Sequence, residues 1–549
     1  MVSAPVRTTG PSKGPLVRQR STLPLLLGSL LLVATAVVTG APAAGAAPPP
    51  PATTPLGAVV PAPSSVRPGG EPYTLTPATR IRVDGTPAAA RAAGHLAALL
   101  RPSTGYALPV TPDDGPGGIR LRLRPREAAL GDEGYRLESG RRGVTLTART
   151  AAGLFHAVQT LRQQLPASVE ARTRQTGPWT VAGGTITDVP RYAYRGAMLD
   201  VSRHFFTVDQ VKRYVDQLAL YKVNTLHLHL SDDQGWRIAV DSWPRLATYG
   251  GSTQVGGGPG GHYTKAQYRD LVAYAAARHI EVVPEIDMPG HTNAALASYA
   301  ALNCDGVASP LYTGTEVGFS SLCVRKDLTY AFIDDVIREL AALTPGRYLH
   351  IGGDEAHSTS HEDYVAFMDR AQAVVAKYGK TVVGWHQLTG ARPAPGALAQ
   401  YWGLGRTSPA EKEQVAAAAR GDTRIVLSPA DRLYLDMKYT KDTPLGLAWA
   451  GYVEVRRSYD WDPGGYLPGA PPSAIAGVEA PLWTETVSTS AHIDHMAFPR
   501  LLSAAELGWA PAAAHDWEAY KVRLAAQGPR LDALGIAFYR SPQVPWLTR

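Results

Sequence analysis

Eight short apolar runs, separated in several places by segments of helical period, constrain this chain more than any other feature. They lie at 194–200, 225–230, 281–287, 348–352, 381–385, 398–402, 424–427 and 475–479, with helical patterns such as 208–221, 265–278 and 327–343 between them. Strands alternating with helices predict a parallel sheet, and eight of them fit a closed (β/α)8 (TIM) barrel with enlarged loops. A doubly wound sheet would need fewer strands and a glycine-rich phosphate loop near its start, which the sequence lacks. In a barrel, the residues after each strand converge on one mouth. Arg203 and Asp232 follow the first two runs, and Asp287 and His291 the third. Asp354 and Glu355 follow the fourth, Trp385 and Trp402 end the fifth and sixth, Tyr434 and Asp436 follow the seventh, and Trp483 and Glu485 the eighth. Any one of these has a bland reading as core or surface; their recurrence at every strand end predicts a site.

The sharpest segment is His350-Ile351-Gly352-Gly353-Asp354-Glu355-Ala356-His357. The glycine pair allows a tight turn before two adjacent carboxylates, so both acids reach one pocket while doing different work. The charge of Asp354 is expected to raise the pKa of Glu355 so that it is protonated near neutral pH. His227 and His229 alternate along the second run without a third ligand at matching spacing, and read as hydrogen-bonded barrel histidines. No metal-ligand motif appears, and neither a metal nor an organic cofactor is expected.

The chain is long enough for at least two domains. Residues 1–46 carry four basic groups and no acid, then an apolar stretch and an Ala-x-Ala-like end, which reads as a secretory signal, the alternative being a retained membrane anchor. Their removal lowers the formal charge from +7 to +3, and no basic tract remains to suggest nucleic acid. Residues 47–66, rich in Pro and Ala, read as a linker or ordered tether. Short alternating runs at 119–123, 135–138 and 144–147, with a helix over 151–164 whose apolar face is Leu154, Val158 and Leu161, predict a small α/β domain over 67–187. The barrel domain then takes 188–549. In an exported chain, the only two cysteines, Cys304 and Cys323, favour a disulfide over free thiols.

The segments 199–204, 227–233, 284–291, 350–355 and 483–485 resemble, in order, the glycoside hydrolase family 20 β-N-acetylhexosaminidases, most of all the secreted actinobacterial ones. The resemblance covers almost all of the mature chain and shows no departure at the site positions. It implies a small α/β (α+β sandwich-like) domain before a catalytic barrel, and a retaining exo-hydrolase for terminal β-linked GlcNAc or GalNAc. Glu355 would be the general acid–base, Asp354 the group that orients the substrate's acetamide, and Tyr434 the donor to its carbonyl oxygen. Asp287 and His291 would form a relay that tunes Glu355. Trp385, Trp402 and Trp483 would wall the acetamide and sugar face, with Trp449 towards the leaving group. Arg203 would bridge the 3- and 4-hydroxyls, Asp436 would take the 6-hydroxyl and Glu485 the 4- and 6-hydroxyls, with Asp232 bracing Arg203. The implied partners are chitobiose, chito-oligosaccharides or glycans, with no nucleic acid or lasting membrane contact, and nothing requires more than a monomer. Within the same family, release of a disaccharide such as lacto-N-biose would need an open pocket beyond the 4-hydroxyl. An endo-chitinase would carry acids spaced two apart, and a non-catalytic carbohydrate-binding protein would not need the acid, orienter and tyrosine together.

Overall fold

The structure, a computed structural model, describes residues 53–113 and 115–547. The expected signal segment and the start of the linker lie outside the described residues. No helix among the described residues is long and apolar enough to cross a membrane.

Eight parallel strands close the expected barrel: β1 (Tyr194–Asp200), β2 (Thr225–His229), β3 (Glu281–Glu285), β4 (Tyr348–His350), β5 (Thr381–Trp385), β6 (Leu398–Tyr401), β7 (Arg424–Leu427) and β8 (Ile475–Leu482). Closure is made by β8 pairing back on β1, from Tyr194 opposite Gly477 to Leu199 opposite Leu482. Helix starts follow local chemistry. Thr207 and Gln210 form a reciprocal capping box before Val208–Leu220, and Thr264 and Gln267 do the same before Lys265–Ala276. Several runs end earlier as strands than the apolar pattern suggests: β3 stops at Glu285 and β4 at His350, because the polar and glycine residues that follow turn into the mouth.

The barrel interior is polar as well as apolar. Glu285, fully buried, accepts from both rings of His227 and His229, from Trp385 Nε1 at 3.0 Å, and faces His350 Nδ1 at 3.0 Å. Glu479 faces His227 Nδ1 at 2.9 Å and accepts from Gln400 and the Tyr194 hydroxyl. Buried charge is tolerable here because each carboxylate is saturated by donors. His227 and His229 are therefore partnered barrel histidines, as expected. Clusters such as His227–Glu285–His350 have the spacing to hold a metal, but these hydrogen bonds already use Glu285.

The N-terminal unit is a seven-stranded mixed sheet, in spatial order 65–68, 184–188, 135–140, 143–148, 118–123, 81–83 and 110–111. Helices Pro87–Thr104 and Ala151–Gln164 pack on it. The second helix is buried on both faces, because its polar side meets the barrel: Gln163 Nε2 donates to the carbonyls of Val60 (2.7 Å) and Leu220 (3.3 Å). Residues 59–63, where the sequence left linker and tether open, are buried as a tether; Val60 and Ala62 N–H groups donate to Gln163 and Glu506. Arg195 of β1 reaches across to Glu133 with both terminal nitrogens, at 2.9 and 2.7 Å, and buried Lys222 lies 3.5 Å from Asp188.

Candidate active site

The turn after β4 needs its glycines. Gly352 and Gly353 have φ of +63° and +103°, and a β-carbon on Gly352 would lie 1.7 Å from Asp287 Oδ1. That close approach lets Gly353 N–H donate to Asp287 at 3.0 Å, while Tyr364 holds the Gly353 carbonyl at 2.8 Å. Glu355 and His291 also sit in the left-handed region, at φ +47° and +55°. Such backbone costs about 1–3 kcal/mol per residue and is kept where function needs a fixed direction. The two strained residues face each other, His291 Nε2 lying 3.3 Å from Glu355 Oε2 and 3.8 Å from Asp354 Oδ2.

The other ring nitrogen of His291 faces Asp232 Oδ1 at 3.2 Å, not Asp287. The chain of groups leading to Glu355 is therefore Asp232–His291–Glu355, and Asp287 lies beneath Asp354 and the Gly353 amide. Asp232 has a larger part than bracing, since it contacts Arg203 Nη1 (2.9 Å), His229 Nε2 (2.6 Å) and His291 together.

Charge is distributed differently from the sequence expectation. Burial raises Asp354 to about 6, the His291 charge opposing and Glu355 adding. Burial, then Asp354, holds Asp287 far above the usual carboxylate range. For His291, burial is outweighed by Asp232 and Asp354, so the imidazolium is strongly favoured. For Glu355, burial is outweighed by the hydrogen bond and charge of His291, and its pKa is lowered. The expected rise on Glu355 is thus corrected. Asp232 favours a cation on His291 beside the acid, and that cation favours the ionised form of Glu355.

A cavity of about 340 Å³, within the usual range of small-molecule sites, opens at this point. Arg203, Asp354, Glu355, Tyr434, Asp436, Trp402, Trp449, Trp483 and Glu485 all line it. Tyr434 is buried against Trp449 and Trp483, ring centroids 5.9 and 6.2 Å apart. Trp385 stands one layer back, fully buried and 5.7 Å from the Trp483 ring, with its indole on Glu285. Both oxygens of Asp436, Oε2 of Glu485, Oδ1 of Asp354 and Nε of Arg203 are buried without a hydrogen-bond partner among the described residues. Leaving such atoms unpaired costs about 1–3 kcal/mol each, which a hydroxyl-rich ligand would offset.

Sequence reasoning missed the residues that hold these groups in place. Arg237 donates to the carbonyls of Val201, Ser202, Gly251, Thr253 and Gly261, tying down the loops that carry Arg203 and Asp232. Arg500 does the same for Leu435, Met437, Val453 and Met496, around Tyr434 and Asp436. Among the described residues, neither forms an ion pair that a charge pattern could have revealed. Thr315 and Val317 also line the cavity, from the loop closed by the Cys304–Cys323 disulfide, whose Cα atoms are 4.8 Å apart. The pairing expected of the two cysteines is present.

Residues 192–512 match the catalytic domain of glycosyl hydrolase family 20, and residues 57–189 match domain 2 of that family. The chain belongs to glycosyl hydrolase family 20. It is 44% identical over 493 residues to a β-N-acetylhexosaminidase of Cellulomonas fimi, covering 89% of this chain and 97% of that protein. It is 73% identical to the solved family 20 β-N-acetylhexosaminidase of Streptomyces coelicolor A3(2), with a TM-score of 0.89 over 90% of this chain and 99% of that one. A mutant β-hexosaminidase of Streptomyces plicatus, solved in complex with its product GlcNAc, is likewise 73% identical, with a TM-score of 0.89 over 90% of this chain and 98% of that one.

Proposed function

We propose that the chain is a retaining exo-β-N-acetylhexosaminidase that removes one terminal non-reducing β-linked GlcNAc or GalNAc with help from the sugar's own acetamide. The observation that carries this reading is the pair of adjacent acids lining one cavity together with the unpaired buried polar atoms of Arg203, Asp436 and Glu485. Adjacent carboxylates are poorly placed to attack and protonate from opposite sides of a ring, which ordinarily takes groups about 5 Å apart. The arrangement makes sense when the substrate brings the nucleophile.

A leaving group docked over Glu355 covers its carboxylate, now 28% exposed, and so raises its proton affinity. The proton passes from His291 Nε2 to Glu355 Oε2, which leaves two neutral groups. Glu355 then gives it to the glycosidic oxygen as the C1–O bond breaks. The acetamide oxygen attacks C1 from the opposite face, forming an oxazolinium ion and releasing the protonated aglycone. Asp354 accepts the acetamide N–H and balances its positive charge, while the Tyr434 hydroxyl donates to the acetamide oxygen. Water, deprotonated by Glu355, then attacks C1, the C1–oxygen bond to the acetamide breaks, and configuration is retained overall. Asp436, Glu485 and Arg203 take the sugar hydroxyls through their unpaired buried atoms. Trp402 and Trp483 cover its apolar face, with Trp385 supporting Trp483. No step calls for a metal or organic cofactor.

The substrates would be chitobiose, chito-oligosaccharides or glycan ends, with the protein acting as a monomer and without nucleic acid. Release of a disaccharide would need room past Arg203 and Glu485. We read the protein as secreted, on its basic-apolar-small leader and on the disulfide, which suits an oxidising compartment. The test is hydrolysis of p-nitrophenyl GlcNAc and GalNAc with an N-acetyl thiazoline inhibitor, following the product anomer by NMR at early times. Thiazoline-sensitive release of the β-anomer supports the reading; an α-anomer, or a folded protein without turnover, ends it.

A further inference from the structure

The two domains carry opposite net charge. Residues 53–188 hold sixteen arginines, no lysine and ten acids, a net +6, so the +3 of the mature chain leaves −3 for the remainder. No run of the sequence shows where that positive charge collects; strand pairing gathers it. Helices Pro87–Thr104 and Ala151–Gln164 cover one face of the seven-stranded sheet, against Ile119, Leu121, Leu137, Val144 and Leu146. Side chains alternate along a strand, so the residues between these point to the other face. There the registers align Arg67, Thr185, Glu138, Thr145, Arg120 and Arg82 across six strands. At about 4.8 Å per strand that row is about 24 Å long. A second row beside it holds Thr187, Arg136, Thr147 and Arg122.

This face is short of counter-charge. Arg82 pairs with Asp113, Arg136 with Glu127 at 3.0 Å, and Arg141 with Glu71 at 3.6 Å. Arg67, Arg120 and Arg142 form no ion pair among the described residues. Arg120 also lies directly beside Arg82 in the register, and like charges so placed disfavour the bare sheet. An open concavity of about 880 Å³ lies here, lined by Arg120, Arg141, Arg142, Thr145 and Thr185, with Glu138 as its one acid. Guanidinium groups take carboxylates in paired hydrogen bonds, and threonine hydroxyls exchange hydrogen bonds with other hydroxyls. Neither row holds an aromatic ring on which a nucleic-acid base could stack. The lining therefore favours an acidic sugar polymer over a nucleic acid.

We propose that the open face of the N-terminal sheet is a docking surface for a linear acidic polysaccharide, with its carboxylates on the arginines and its hydroxyls on the threonines. The face belongs to a different domain from the catalytic mouth, so docking and hydrolysis are measured separately. The experiment titrates end-labelled polygalacturonate with the full mature protein at low salt and follows fluorescence anisotropy, with labelled neutral dextran and a labelled DNA duplex in parallel. Wild type is expected to bind polygalacturonate, to ignore dextran, and to weaken as salt rises. The triple variant Arg67→Ser, Arg120→Thr, Arg142→Ser should raise Kd about tenfold, three exposed contacts each having the modest worth of a surface ion pair. A control with the same loss of charge on the barrel, Arg269→Ser, Arg424→Ser, Lys441→Ser, should change Kd about twofold at most. If the triple variant melts lower than wild type, Arg67→Ser with Arg142→Ser replaces it, both residues being exposed, with an expected rise of about fivefold. No binding of polygalacturonate, equal binding of dextran, equal losses in the face and control variants, or tighter binding of the duplex overturns the proposal.

Discussion

The domain boundary and the barrel mouth both bury charge, and they treat it oppositely. At the boundary, Arg195 takes both oxygens of Glu133, and Glu170 is shared by Arg162 and Arg530. At the mouth, both oxygens of Asp436 and one each of Glu485 and Asp354 have no hydrogen-bond partner among the described residues, and burial holds all three carboxyls above their ordinary pKa. Paired buried charge is architecture. Unpaired buried carboxyls, aimed into a cavity, hold binding free energy that only a ligand realises.

This contrast can be broken in graded steps. Glu355→Gln should lower kcat/KM for p-nitrophenyl GlcNAc by about 10²–10⁴-fold, the range for a lost general acid–base, while leaving the melting temperature close to wild type. At the boundary the reverse is expected. Glu133→Gln strands the Arg195 guanidinium and should cost about 3–5 kcal/mol in denaturant unfolding, with kcat/KM per folded molecule unchanged. Asp436→Asn should cost roughly 10–100-fold in kcat/KM, the value of a hydrogen bond to a charged group, with no loss of stability in the unliganded protein.

A further effect is in the pH dependence of stability. Asp354 sits near 6 in the folded chain against about 3.9 in an unfolded one, so between these values the folded state holds more protons. Its contribution must therefore make stability fall as pH rises from about 4 to 6. Thermal unfolding across that window should show a shallower decline in Asp354→Asn than in wild type; an equal slope would mean that the carboxyl is not raised.

The barrel was legible because its signal is local and repeated. Strands such as 381–385 and 424–427 are buried on both faces and so read as continuous apolar runs. The acid turn was legible because only glycine tolerates the backbone and close contact at Gly352. The helix at 151–164 was half legible. Its apolar stripe could be read from the spacing, but the bonding of its polar face to the barrel could not. The partner of His291 was misassigned to Asp287, close by in sequence, when the hydrogen-bonded carboxylate is Asp232, at the end of a different strand.

The sequence by itself therefore determined the fold class, the mouth at which the polar residues gather, and the pair of adjacent acids that line its cavity, since periodicity, glycine sterics and residue type are all properties of short segments. Tertiary structure alone decided in which direction each buried acid's pKa moves, which carboxyl oxygens stay unpaired, and how Arg237 and Arg500 clamp the loops. Those depend on distance and desolvation between groups far apart in the chain, and a pKa or a hydrogen bond is set by the neighbours that folding supplies.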